Sequence, residues 1–330
     1  MRVLVTGIGG EIGTRVARLL EASPTVDAIA GIDREPPRRL LRRAEFHYLE
    51  PTDLEGIRAV IDDFAPTALV HLGVYEPHSR STPEQARERT ETGTGVIFDL
   101  LRDAGGIERV AVRSGIEIYG RGRDADPVPN EASPTLPSSR FGHMLSSVED
   151  IALAAAADLG ASVFRLRAAP ISGAHMPSPF ARYLRLPVVP VPMPPGHPFS
   201  LIHVDDVARA LVAGLELGLD EALNLVGEGS VTVYEALRVG GRMPLPVLGP
   251  TLRFVRIFTE WAGSPLPDHT LELLTRGRLA DGSRAGGRLG FLPSASTFMV
   301  VDDVYDWGDH HYMDLAPVPG SSVSTREDSR

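Results

Sequence analysis

The sequence predicts a doubly wound α/β fold, in which a parallel Rossmann sheet carries helices on both faces and a smaller C-terminal lobe follows. The first observation is that short apolar runs alternate with amphipathic stretches through the first half of the chain. The second is a glycine-rich turn, Gly7–Gly13, between the first apolar run and the first amphipathic stretch. The third is a change of composition after about Ala168, where prolines become frequent.

Strands are predicted where a short apolar run is bounded by glycine or polar residues. In chain order they are Arg2–Val5, Val26–Ile32, Ala68–Leu72, Arg109–Arg113, Ser162–Leu166 and Ala222–Leu225. Helices are predicted where apolar residues recur every three or four positions, as at Ile12, Val16 and Leu19. They are Glu11–Ala22, Leu54–Asp63 with Asp53 as N-cap, Pro83–Ala104, Leu136–Leu159, the strand–helix unit Leu201–Leu217, a helix from Val233, and Leu252–Ala262.

The same patterns divide the chain into domains. Residues 1–168 are predicted to form a dinucleotide-binding Rossmann domain, and residues 169–314 a substrate lobe that crosses back to the sheet. The proline-rich stretch Pro177–Pro198 is predicted to be loop or extended chain, because proline interrupts helices. The polar tail at 315–330 is predicted to be disordered.

Composition excludes several kinds of function. The chain has no cysteine, which excludes disulfides, thiolate metal sites and a cysteine nucleophile, and all 33 of its basic residues are arginine. The net charge is −10 and no basic run is long enough to follow a phosphate backbone, so nucleic acid is not an expected partner. The arginines at 38, 39, 42 and 43 are interpreted as the solvated face of a short helix.

Membrane and metal signals are also missing from the sequence. No apolar run is long enough to span a membrane, and the N-terminal run lacks a signal-peptide pattern, so we expect a cytoplasmic protein with no membrane partner. No His-Glu-x-x-His or calcium-loop pattern occurs, and the isolated pair His310–His311 does not predict a metal site.

The glycine-rich turn predicts a phosphate-binding site. Gly7 allows the tight turn, Gly10 lets the backbone approach a pyrophosphate, and Gly13 lets the helix pack closely on the strand. Glu11 and Ile12 open the helix, whose free N–H groups attract anions. The turn therefore predicts binding of NAD(P); the alternative is a strand–helix turn without a ligand.

Asp33 ends the second predicted strand. A carboxylate there accepts hydrogen bonds from the adenosine ribose and repels a 2′-phosphate, which favours NAD over NADP. The neighbouring Arg34 favours NADP instead, because a guanidinium attracts that phosphate. A turn residue without a ligand is the remaining interpretation of Asp33.

Several short motifs follow one another along the chain. They are Thr6–Gly13, Val70–Gly73, Gly93–Thr94, Ile118–Gly120, Ile202–Ala208 and Leu289–Pro293. In this order they resemble the extended short-chain dehydrogenase/reductase superfamily, in its NAD-dependent epimerase/dehydratase branch. The resemblance runs from Met1 to about Trp307. It implies a Rossmann fold, a nicotinamide cofactor lined by Leu72 and Gly73, and often a nucleotide-sugar substrate.

The resemblance fails where that family carries its chemistry. The family's Tyr-x-x-x-Lys falls on Phe141 and Leu145, and its serine or threonine falls on Gly115. The tyrosine of the family moves a proton, and its lysine lowers the pKa of the tyrosine and holds the ribose. Near the adenine, the family's aspartate is replaced by Glu50, and Pro51 follows without the backbone N–H that the family offers.

Two nearby residues are candidates for a replacement proton donor. Glu117 matches the position of an acid in dehydratase relatives, and Tyr119 offers a phenol close by. Both are also compatible with an inert, hydrogen-bonded role. The first functional hypothesis is therefore an atypical NAD-dependent oxidoreductase or epimerase acting on a sugar-like or other hydroxyl-bearing substrate. The second is a non-catalytic NAD(H)-binding regulatory or scaffold protein.

The resemblance also implies an assembly. Members of the family often pair through two long helices, here Pro83–Ala104 and Leu136–Leu159. A homodimer is therefore expected.

Overall fold

The computed structural model describes residues 1–77, 81–173, 176–193, 196–248 and 266–306. The predicted helix Leu252–Ala262, the pair His310–His311 and the tail at 315–330 lie outside these ranges.

Most of the strands lie in one sheet. The strands are β1 Arg2–Thr6, β2 Ala28–Asp33, β3 Ala44–Tyr48, β4 Ala68–His71, β5 Arg109–Gly115, β6 Ser162–Ala168, β7 Ile171–Ser172, β8 Val188–Met193, β9 Ile202–His203, β10 Ala222–Leu225 and β11 Met243–Leu248. Seven of them form a sheet in the order β10-β6-β5-β4-β1-β2-β3, and all neighbours in it are parallel. This sheet, with helices between its strands, confirms the predicted fold class.

The helices follow the strands as the alternation predicts. They are α1 Glu11–Ala22, α2 Leu54–Phe64, α3 Pro83–Ala104, α4 Arg140–Leu159, α5 Pro179–Leu184, α6 Val204–Glu216, α7 Val233–Val239, α8 Asp268–Arg276, α9 Ser283–Leu289 and α10 Thr297–Tyr305. Asp53 caps α2, as predicted, by accepting a hydrogen bond from the backbone N–H of Gly56. Helix α4 begins four residues later than predicted. Ser139 is its N-cap, because the Ser139 hydroxyl accepts a hydrogen bond from the backbone N–H of Gly142.

The prediction that Pro177–Pro198 contains no helix was wrong. Helix α5 forms there because Pro179 occupies the first turn, where no backbone N–H is needed, and Ser178 accepts a hydrogen bond from Ala181 N at 3.0 Å. The rest of the stretch includes β8, which pairs with β11 in a parallel ladder.

The prediction of a short helix around the arginines at 38–43 was also wrong. This segment forms bends and leads into the edge strand β3. The carboxylate of Glu21, at the end of α1, accepts hydrogen bonds from the backbone N–H groups of Arg42 and Arg43, both at 2.6 Å. The Arg43 guanidinium also donates to the carbonyls of Glu21 and Val26, which fixes an extended path instead of a helical one.

In the described ranges, the buried apolar side chains form two clusters. The larger packs the sheet against its helices, and the smaller lies in the C-terminal part around Phe180, Phe199 and Leu273. The chain returns from this second cluster to add β10 to the edge of the main sheet beside β6. The carboxyl ends of β5 and β6 line a cavity together with Phe180 and Leu273 of the second cluster. The strand order reverses between β1 and β4. Ligands bind at such a reversal in open α/β sheets.

Candidate functional site

The turn after β1 has the geometry that its glycines predict. Gly7 has φ +75°, in the left-handed region that favours glycine. A Cβ on Gly13 would lie 2.1 Å from the carbonyl oxygen of Gly7, so only glycine lets α1 pack this closely. Gly10 is the N-cap of α1 and has no side chain to satisfy the helix N–H groups, which leaves them available to an anion.

The carboxylate of Asp33 is fixed against this turn. Its Oδ2 accepts a hydrogen bond from Gly9 N at 2.8 Å, and its Oδ1 accepts one from Glu35 N at 3.1 Å. Burial raises the pKa of Asp33, although hydrogen bonds from the backbone of Glu35, Gly9 and Arg34 partly oppose this effect. Gly9, which the sequence analysis passed over, is essential to the contact, since a Cβ there would lie 2.0 Å from the Glu35 carbonyl oxygen.

The neighbouring guanidinium is directed elsewhere. Arg34 Nη1 lies 4.0 Å from Glu50 Oε2, and both side chains are partly exposed. Arg34, which the sequence associated with the choice between NAD and NADP, therefore pairs with Glu50, which the sequence associated with the adenine.

A cavity of about 340 Å³, the turn cavity, opens between these residues and the end of β4. It is lined by Thr6, Gly7, Ile32, Asp33, Leu49, Pro51, Ile57, His71, Gly73, Tyr75, Gly93 and Ile97. Leu72 and Glu50 do not line it. Burial lowers the pKa of His71 to about 4, and its two ring nitrogens contact the hydroxyls of Thr6 and Thr94. His71 is therefore a neutral, fully hydrogen-bonded wall residue.

A larger cavity of about 620 Å³, the lobe cavity, lies where the ends of β5 and β6 face the smaller lobe. It is lined by Glu76, Arg113, Ser114, Gly115, Glu117, Phe141, Leu145, Ala168, Ala169, Pro170, Ile171, Met176, Ser178, Phe180, His269, Thr270 and Leu273. The structure thus brings together the three positions that depart from the family pattern and one of the two candidate acids.

Gly115 and Glu117 are sterically linked. A Cβ on Gly115 would lie 2.3 Å from Glu117 Oε2 and 3.1 Å from Leu145 Cδ1. The Glu117 carboxylate therefore fills the space that a serine or threonine side chain at position 115 would need. Glu117 Oε1 also lies 3.9 Å from Nε of the buried Arg278.

The second candidate, Tyr119, is not brought to this cavity. Its hydroxyl donates a hydrogen bond to Asn224 Oδ1 at 2.8 Å and accepts one from Arg167 Nη1 at 3.0 Å. Burial raises the pKa of Tyr119. The phenol is held in the core next to β10 and does not line the lobe cavity.

Sequence reasoning missed the polar residue next to the family's tyrosine position. The His269 ring stacks on the Phe141 ring, with centroids 4.4 Å apart and planes at 29°. His269 Nε2 contacts Glu76 Oε1 at 2.9 Å, and both residues line the lobe cavity. No motif marks either residue, since His269 belongs to α8 and reaches Phe141 only because α8 packs against α4.

The described ranges show neither a metal-binding cluster nor a membrane-spanning helix. Within them, no group of three or more histidine, aspartate or glutamate side chains is placed to hold a metal ion. None of the helices in the described part of the chain is long and apolar enough to cross a membrane.

The chain is similar in sequence to a known family and to two mycobacterial proteins. A family model for the NAD dependent epimerase/dehydratase family matches residues 3–225. An uncharacterized protein of Mycobacterium tuberculosis and one of Mycobacterium bovis are each 27% identical to this chain, with 92% of this chain and 83% of the relative covered.

Solved structures share the fold. A UDP-glucose 4-epimerase from Thermotoga maritima, determined with UDP-glucose, matches with a TM-score of 0.73 and 21% identity, over 94% of this chain and 99% of that chain. A UDP-glucose 4-epimerase from Bifidobacterium longum, in complex with NAD⁺ and UDP, matches with a TM-score of 0.72 and 18% identity, over 94% and 98%.

Proposed function

Since the chain belongs to the NAD dependent epimerase/dehydratase family, we propose that it is an atypical NAD-dependent oxidoreductase or epimerase of a sugar-like, hydroxyl-bearing substrate. The observation that carries this proposal is the Asp33 carboxylate, fixed to the glycine turn at the wall of the turn cavity. Nucleotide sugars are the first substrate class to test, because structurally similar epimerases were determined with UDP-glucose or with NAD⁺ and UDP.

The residues present fit the adenosine and pyrophosphate parts of NAD. Each Asp33 oxygen accepts one backbone N–H, which leaves a further lone pair for a ribose hydroxyl. The uncapped start of α1, at Gly10, Glu11 and Ile12, suits the pyrophosphate. NADP is disfavoured, because the Asp33 carboxylate repels a 2′-phosphate and Arg34 is turned toward Glu50.

The nicotinamide, when bound, supplies a hydride acceptor or donor. The lobe cavity is the proposed place for the substrate beside it. Glu117 is the candidate acid–base residue, because its carboxylate lines this cavity in the space that Gly115 leaves open. Tyr119 is the weaker candidate, since its hydroxyl is engaged by Asn224 and Arg167.

One observation favours the second candidate function, a non-catalytic NAD(H)-binding protein. Phe141 and Leu145 put apolar, buried side chains where the family has its tyrosine and lysine. The two functions differ in whether bound NAD⁺ is ever reduced.

Assembly and location complete the proposal. We propose a homodimer that pairs through α3 and α4, and a cytoplasmic location. The proposed partner is a small-molecule substrate. We propose no nucleic-acid or membrane partner.

The experiment that tests the function starts from protein freed of carried-over nucleotide. The protein is titrated with NAD⁺, NADH, NADP⁺ and NADPH by calorimetry, and then incubated with NAD⁺ and UDP-glucose or other sugars while reduced nicotinamide is followed by absorbance. Binding of NAD(H) with reduction supports the enzyme. Binding without reduction by any sugar supports the non-catalytic protein, and no binding contradicts both.

Changing Asp33 to asparagine is expected to weaken NAD(H) binding by roughly 10- to 100-fold, because hydrogen bonds to a charged acceptor contribute about 1.5–3 kcal/mol. NADP(H) binding should fall less, since the neutral amide no longer repels the 2′-phosphate. Calorimetry measures both. Asp124→Asn, in an exposed loop, is the matched control, and an equal loss for both dinucleotides would contradict the assigned role of Asp33.

A further inference from the structure

Two charged side chains that no motif marks meet at the lobe cavity. Glu76 lies in the loop after β4, and His269 lies in the first turn of α8. His269 Nε2 is 2.9 Å from Glu76 Oε1. The His269 side chain is 8% exposed and that of Glu76 is 24% exposed, so the carboxylate is the member more open to a bound molecule.

The pair lies beside the position where the family's proton donor is missing. The His269 ring stacks on Phe141, whose ring has no exchangeable proton. Imidazole and carboxylate groups both exchange protons readily. The pair therefore gives this wall of the lobe cavity a proton that Phe141 cannot supply.

We propose that Glu76 and His269 exchange the hydroxyl proton of the substrate, in place of the family's tyrosine and lysine. The inference rests on the proposed function and gives that function a proton route. When the substrate is oxidised, its O–H proton passes to the Glu76 carboxylate and on to His269 Nε2, while a hydride leaves the same carbon for the nicotinamide of NAD⁺. Reduction reverses both transfers, so protons and electrons balance.

The charges around the imidazole favour its protonated form. Burial lowers the pKa of His269, but the carboxylates of Asp268 and Glu76, together with the charge of Glu117, raise it to about 9. Two cations border this group: Arg113 on β5 interacts with Glu76 and Glu117, and Arg278 Nε lies 3.9 Å from Glu117 Oε1. Below pH 9 the imidazole therefore holds the proton that reduction needs, and oxidation should speed up as the pH rises toward 9.

The first test measures the pair in the free protein. Side-chain NMR of His269, assigned by its loss in His269→Gln, should show titration near pH 9, moving toward the ordinary value of about 6.5 in Glu76→Gln. His143→Gln, at an exposed position on α4, is the control and should leave the His269 titration unchanged. Titration near 6.5 in the wild-type protein, or no change in Glu76→Gln, would overturn the inference and leave the proposed function standing.

The second test measures hydride transfer from UDP-glucose to NAD⁺ across pH. His269→Gln keeps an N–H group near the Nε2 position but does not titrate, so NADH affinity should be unchanged while kcat falls at least about 100-fold and its pH dependence flattens. A purely structural histidine predicts wild-type kcat and pH profile in this variant, which would overturn the inference. Wild-type protein that binds NADH but reduces no NAD⁺ with any sugar contradicts the proposed function and, with it, this proton route.

Discussion

Replacing Arg167 with methionine is expected to lower the free energy of unfolding by about 3–5 kcal/mol, because it removes two charge-assisted hydrogen bonds from the buried Glu149 carboxylate, which keeps the more distant Arg165 Nη1 at 3.9 Å. Arg167 donates from Nε to Glu149 Oε1 at 3.0 Å and from Nη2 to Glu149 Oε2 at 2.7 Å, and both side chains are buried. The same guanidinium donates to the Tyr119 hydroxyl, so the change also disturbs the contact between Tyr119 and Asn224 at β10. Urea unfolding followed by circular dichroism measures the loss.

The matched control is Arg58→Met. Arg58 pairs with Asp103 at 2.9 Å, but the two side chains are 50% and 62% exposed. Exposed pairs contribute about 0–1 kcal/mol, so this variant should stay close to the wild-type protein. If Arg167→Met and Arg58→Met lower the free energy of unfolding equally, the buried contacts of Arg167 with Glu149 on α4 and with Tyr119 do not stabilise the fold as proposed.

Changing Gly13 to alanine is expected to abolish detectable NAD(H) binding and to lower the free energy of unfolding by about 1–3 kcal/mol. The new Cβ would lie 2.1 Å from the Gly7 carbonyl oxygen and 2.6 Å from Ile8 Cα. These are backbone atoms, so the strain cannot be relieved by a side-chain rotation, and the turn must open. Calorimetric titration with NADH and thermal unfolding measure the two effects.

Gly287→Ala is the control, because it makes the same substitution at an exposed position where the added Cβ contacts nothing. Gly287 lies in α9, exposed, with nothing within 4 Å of the added Cβ. Alanine is about 1 kcal/mol better than glycine in a helix, so this variant should be as stable as the wild-type protein or more so. Normal NADH affinity in Gly13→Ala would mean that the turn does not hold the dinucleotide.

Most of the sheet was predictable because the apolar pattern of its strands and helices agrees with the capping and glycine residues at their ends. Helix α3 has its predicted bounds, since Thr82 and Gln85 form a capping box and Gly105 follows its end. The edge strand β3 was missed because its residues are mostly half-exposed and polar residues alternate with apolar ones, a weak signal in only five residues. Helix α5 was missed because proline was interpreted as a helix breaker, although it suits the first turn.

The candidate site was predictable only where it follows a motif. The glycines and Asp33 belong to one β1–α1–β2 unit, so sequence spacing was enough to predict that they serve one dinucleotide, although the hydrogen bond from Gly9 to Asp33 was not predicted. Glu117 lies close to Gly115 in sequence and in space. His269 and Glu76, by contrast, are 193 positions apart, and the packing of α8 against α4 brings one of them onto Phe141. No periodicity in the sequence carries that information.

Binding of NAD(H) by the glycine turn is tested most directly by Gly10→Ala. A Cβ on Gly10 would lie 3.4 Å from the Gly7 carbonyl oxygen, an ordinary contact, so the variant should fold as the wild-type protein does. The same Cβ would occupy the space through which a pyrophosphate approaches the backbone. In calorimetric titrations with NADH, we predict binding by the wild-type protein and Gly287→Ala and none by a folded Gly10→Ala. Equal binding by all three, or no binding by any of them, would contradict the claim.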